Sequence, residues 1–196
     1  MSDQILWFAT RGAGTVSLLL FTAVVCLGIL AVVRWQSPSW PRFLSVELHR
    51  SLALLSVVFL GVHIVTAIAD PFTSLGVVAA VVPFASSYRP LWVGLGVISV
   101  DLLAAILVSS LLRPRIGQAA WRAVHWLSYG AWPLAVLHGI GSGSDASAPW
   151  MMTIAASCLA AVALSLTWRV AAGRSNRGEL SRVAAGAGAG REPRRA

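Results

Sequence analysis

Four histidines carry the chemistry this chain could perform. They are His49, His63, His125 and His138, and each sits in an apolar stretch. Ionisable side chains in such stretches are rare and usually functional. His49 and His63 are fourteen positions apart. On an α-helix that is a phase difference of about 40° and a rise of roughly 21 Å, so both share one face at two well-separated levels. His125 and His138 are thirteen apart, a rise of roughly 20 Å but a phase difference of about 140°. Pro133 lies between them and is a candidate for a kink that corrects the mismatch. A zinc site would want three or four protein ligands at one point. Two opposed imidazoles at each of two levels are what six-coordinate haem iron takes. A proton relay of histidines is the other functional reading, and Asp101 is the one acid well inside an apolar run.

The elements that position these residues are membrane helices. Of 196 residues, 57% are hydrophobic and 11% charged, against about 25% charged in soluble domains. Apolar runs of about twenty residues recur, the length that spans a bilayer as a helix. The expected class is all-α, a polytopic bundle of five spans: Gly12–Val33, Val46–Ala69, Leu91–Leu112, Ala123–Ile140 and Trp150–Trp168. Gly76–Ala85 is apolar but too short to cross, and reads as re-entrant or interfacial. Residues 1–11 form an extracytoplasmic N-terminus, 12–172 the bundle, and 173–196 a basic, disordered cytoplasmic tail.

The net charge of +8 comes from arginine alone. With five spans, all arginines but Arg11 and Arg89 fall on one side. The positive-inside rule then puts the N-terminus outside and the C-terminus in the cytoplasm. Membrane topology, not nucleic-acid binding, accounts for the charge. Most tryptophans lie near span ends, where indole rings favour the interface, while Trp126 and Trp132 suit packing between helices. Cys26 and Cys158 lie in separate spans and read as small packing residues.

Spans two and four run in the same direction, so His49 shares a level with His125 and His63 with His138. The segment Glu47-Leu48-His49-Arg50-Ser51-Leu52 followed by His63 resembles the first haem helix of the ferric-reductase-like transmembrane family. So does Trp121-Arg122-Ala123-Val124-His125-Trp126-Leu127-Ser128-Tyr129 followed by His138-Gly139. The resemblance covers about Val46 to Trp168, and the spacings of fourteen and thirteen match the family. It implies a b-type cytochrome with two haems, the inner held by His49 and His125 and the outer by His63 and His138. Arg50 and Arg122 would pair with propionates. No strand, glycine-rich loop and helix unit for a nicotinamide or flavin is present. Electrons would come from a separate cytoplasmic reductase or from quinol, with flavin or quinone entering through a partner, and would leave to an extracytoplasmic acceptor. A bacterial plasma membrane is the expected location. A histidine- and Asp101-based transporter, and a haem-binding assembly subunit, are the competing readings.

Overall fold

The computed structural model describes residues 2–32, 42–71, 73, 75–143 and 148–189. Seven helices follow one another: α1 (Ser2–Val32), α2 (Arg42–Ala69), α3 (Val77–Val81), α4 (Pro90–Leu111), α5 (Arg113–His125), α6 (Ser128–Ser142) and α7 (Pro149–Ala189). Among the described residues, four are long and apolar enough to cross a membrane, over Gln4–Ala31, Phe43–Ala69, Pro90–Leu111 and Pro149–Arg174. The 76–85 stretch holds only the five-residue α3, too short to cross a bilayer. Phe84, at φ 66°, lays its ring against Gly94 of α4, where a side chain would collide with it.

Two antiparallel pairs make the bundle. α1 packs along α2, α4 packs along α6, and α1 joins the pairs by contacting α6 and α7. The core between them contains Phe21, Val25, Ile29, Trp132, Val136, Cys158 and Val162. α7 contributes Met151, Ala155, Cys158 and Val162, a narrow stripe at i, i+4, i+7 and i+11. The outward valines and leucines of α2, such as Leu54, Val58, Val62 and Val65, are exposed, as lipid-facing residues must be. In lipid the helices gain little from hiding apolar surface from one another, so close packing and interhelical hydrogen bonds must hold them. Trp132 Nε1 donates to Thr22 Oγ1 at 3.0 Å, and Ser99 Oγ donates to the Ala131 carbonyl at 2.8 Å.

Two boundaries differ from those read off the sequence. α1 begins at Ser2, ten residues before Gly12, because the Arg11-Gly12-Ala13-Gly14 stretch that looked like a boundary is helical. α7 continues to Ala189 through the stretch expected to be disordered from Gly173. Its Ala, Arg, Glu and Leu content supports a helix already nucleated in the span. The remaining tail, 190–196, lies outside the described residues, as do 144–147 of the Gly/Ser-rich loop.

The stretch expected to form span four is also reshaped, into α5 and α6. Gly117, at φ +80°, breaks α5, and a second break falls at Trp126–Leu127. The second is a tightening: Leu127, Tyr129 and Gly130 donate to carbonyls three residues back, at 3.0, 3.1 and 3.0 Å. Such 3-10 geometry advances about 120° per residue in place of 100°. Four residues of it add roughly 80°, which reduces the 140° mismatch between His125 and His138 to roughly 60°. That is close to the offset of His49 and His63. Pro133 favours the step, since its ring crowds the carbonyl of Tyr129 and it has no N–H to return.

Candidate functional site: two facing histidine pairs

The α1–α2 pairing follows a seven-residue register. Thr10, Ser17 and Val24 on α1 meet His63, Ser56 and His49 on α2. A seven-residue repeat keeps one seam in contact along two helices. Two such repeats separate the histidines, which is why a spacing of fourteen places both on the same seam. Midway between them Ser17 Oγ donates to the Ser56 carbonyl and Ser56 Oγ to the Ser17 carbonyl, both at 3.1 Å. The α4–α6 pair takes the same antiparallel step, with Trp92 against His138 and Ser99 against Ala131.

Each seam fixes a ring. His63 Nδ1 lies 2.8 Å from the Thr10 carbonyl, His49 Nδ1 3.0 Å from that of Val24, and His138 Nδ1 2.9 Å from that of Trp92. A carbonyl only accepts, so each Nδ1 carries the proton and donates. The lone pair of a neutral ring is then on Nε2. Metal-binding histidines are commonly held this way, with the distal N–H committed to a carbonyl and the other nitrogen free for the metal. Glycines make room for two of the rings. A Cβ at Gly14 would come 2.7 Å from His63 Nδ1, and one at Gly96 2.5 Å from His138 Nδ1. Gly28 is looser, with His49 Cε1 at 3.5 Å.

The rings meet in two pairs. His49 and His125 have ring centroids 6.2 Å apart, and His63 and His138 6.1 Å apart. A ligating imidazole nitrogen stands about 2 Å from its metal, and roughly 1 Å from its own ring centroid. Two rings on opposite sides of one metal are therefore about 6 Å apart, centre to centre. The observed separations fit a single ion between each pair. Among the described residues no three His, Cys, Asp or Glu converge, and each level brings two imidazoles together. That donor set suits an iron whose four equatorial ligands arrive with a porphyrin. Around His63 and His138 a cavity of about 210 Å³ is lined also by Thr10, Arg11, Gly14 and Gly96.

Other predicted residues lie elsewhere. Arg50 and Arg122 are exposed near His49 and His125, free to reach a group at that level. Asp101 is exposed on α4 and is absent from the wall of the cavity that holds His63 and His138, so the structure does not assemble a histidine–Asp101 relay there. Trp132 is buried as expected, but Trp126 is 57% exposed and meets only the neighbouring Tyr129 ring at 5.2 Å among the ring contacts described. At the 3-10 step its side chain turns away from the core. Arg11, Ser17, Ser56 and the two close-packed glycines were missed. Gly14 could have been noticed, since it and Gly28 repeat the fourteen-residue spacing of the histidines.

No curated protein and no solved structure matches the chain. Residues 13–136 match the ferric reductase-like transmembrane component family, a segment that takes in His49, His63 and His125 and stops two residues short of His138. With more than half its length matched, and helices that span a membrane, the chain belongs to the ferric reductase-like transmembrane family.

Proposed function

We propose that the chain is a membrane b-type cytochrome in which His49 with His125, and His63 with His138, ligate two haem irons stacked across the bilayer. The observation that carries this is the pair of 6.1 and 6.2 Å ring separations, at levels roughly 21 Å apart on a helix. Family membership supports a membrane electron-transfer role. When bound, the haems supply one-electron chemistry. The protein holds the rings at fixed tautomer, excludes water and sets potentials through what surrounds the iron.

In this reading the bundle has five crossings. α6 alone, at fifteen residues, spans about 22 Å. Joined through the 3-10 step to the part of α5 after Gly117, it reaches about 37 Å, enough for a hydrocarbon core of about 30 Å. Arginine distribution then puts the N-terminus outside and the C-terminus in the cytoplasm. His49–His125 is the inner level and His63–His138 the outer. Arg50 and Arg122 pair with propionates at the inner level, and Arg11 lies on the cavity wall at the outer one. Electrons enter from a separate cytoplasmic reductase or from quinol and leave to an extracytoplasmic acceptor, across a bacterial plasma membrane. Substituting His63→Ala should remove the outer haem's absorbance and stop transfer across proteoliposome membranes. An unchanged spectrum with unchanged transfer would contradict the assignment.

A further inference from the structure

Three of the four rings are seated alike, and the fourth is not. His63, His49 and His138 each donate Nδ1–H to a carbonyl lying four residues before a glycine: Thr10 before Gly14, Val24 before Gly28, Trp92 before Gly96. In a helix that carbonyl already accepts the N–H of the residue four on. With glycine at that position, an imidazole can lie flush and share the oxygen.

His125 has no such seat. Its Nδ1 is buried and without a hydrogen-bond partner. α4 has no glycine between Gly96 and its end at Leu111. Thirteen residues beyond Gly96, in the place that would face His125, stands Ser109, whose hydroxyl is turned to its own helix at the Ile106 carbonyl, 2.9 Å away. His125 is also the last residue of α5, at the edge of the 3-10 step. It is braced by packing. The Trp121 ring lies against it, at 5.0 Å between centroids and 30° between planes. Trp121 is itself held by Ser110, through Nε1 to Oγ at 3.1 Å, and by Arg113, 4.4 Å above its ring.

A carbonyl on the distal N–H both orients an imidazole and strengthens it as a ligand, and loss of such a partner weakens metal affinity by about 10–100-fold. We infer that His125 is a releasable ligand, so that the His49–His125 level opens to a small neutral ligand such as carbon monoxide or imidazole while the His63–His138 level stays closed. The inference rests on the two-haem reading above. In the exchange His125 Nε2 gives up its bond to iron and a lone pair of the incoming ligand replaces it. No proton or electron is transferred.

The test uses the full-length protein purified with its haem, reduced with dithionite and exposed to carbon monoxide. Half of the haem should take the ligand. H125G should keep two haems per chain, bind carbon monoxide at once at that half, and regain its low-spin spectrum with added imidazole. H49G removes the seated ligand, and should fall towards one haem per chain that imidazole does not restore. W121A withdraws the packing brace alone and should speed carbon monoxide binding several-fold, which keeps the test open if a glycine variant does not fold. A two-haem protein that takes no carbon monoxide, or takes it at both levels, would overturn the inference. So would matching behaviour of H49G and H125G, or an unchanged rate in W121A. A protein purified without haem would overturn the proposed function itself.

Discussion

Replacing Gly14 with alanine tests how the ring of His63 is held. The new methyl would stand 2.7 Å from Nδ1 and 2.9 Å from Cε1, where ordinary contact begins near 3.4 Å. The ring cannot retreat while Nδ1 stays 2.8 Å from the Thr10 carbonyl. Either the hydrogen bond breaks, at about 1 kcal/mol, or the helices separate, at about 1–3 kcal/mol for overpacking. Alanine returns up to about 1 kcal/mol of helix propensity, so the net loss is about 0–3 kcal/mol, and about 1–3 kcal/mol relative to an alanine that meets no ring. Gly12→Ala is the control, since nothing lies within 4 Å of its Cβ; it should be neutral or slightly stabilising. Gly96→Ala, at 2.5 Å from His138 Nδ1, should be at least as damaging as Gly14→Ala, and Gly28→Ala, at 3.5 Å from His49, should be tolerated. Thermal unfolding in detergent, with haem content measured beside it, gives the order. If Gly14→Ala melts with Gly12→Ala and keeps its haem, the ring is not held as argued here.

Other outcomes follow from the same contacts. Ser17→Ala with Ser56→Ala should cost about 1 kcal/mol in thermal unfolding and less than the sum of the single changes, because the two hydroxyls serve each other's helix. Thr22→Val leaves the buried Trp132 N–H without its acceptor and should cost about 1–3 kcal/mol; a melt equal to wild type would show the bond contributes nothing. For topology, cysteines placed at the exposed Ser87 and Gln118 should react with impermeant maleimide from opposite sides, Ser87→Cys in intact cells and Gln118→Cys only after lysis. Labelling of both from one side would remove a crossing from the bundle.

The histidine pairs were legible because membrane helices impose a regular rise and period. Spacing, with spans two and four running in the same direction, put His49 level with His125 and His63 level with His138, and the same rings lie 6.2 and 6.1 Å apart. Helix ends were read less well. Gly12 and Gly14 resemble a boundary in one dimension, yet a helix accepts them once His63 lies against the second. The break at Trp126–Leu127 was not legible either, since both residues keep right-handed helical dihedrals and only the hydrogen bonds shift from four residues back to three. Nor could sequence show that three rings share a backbone seat. A main-chain carbonyl carries no side-chain signal, and its partner is known only once the register of two helices is known. The same reason hid the isolation of His125, which looks in sequence like its three counterparts.

Two imidazole pairs that each hold one haem iron should give a chain with a fixed haem content. The haem-to-protein ratio of the purified chain, expressed with haem supplied, reads that content, and its spectrum, oxidised and then dithionite-reduced, reads the ligation. Two haems per chain, with the sharp reduced bands of low-spin b-type iron, are the predicted result. A colourless protein, folded by its thermal melt, would mean that the histidine pairs hold no haem.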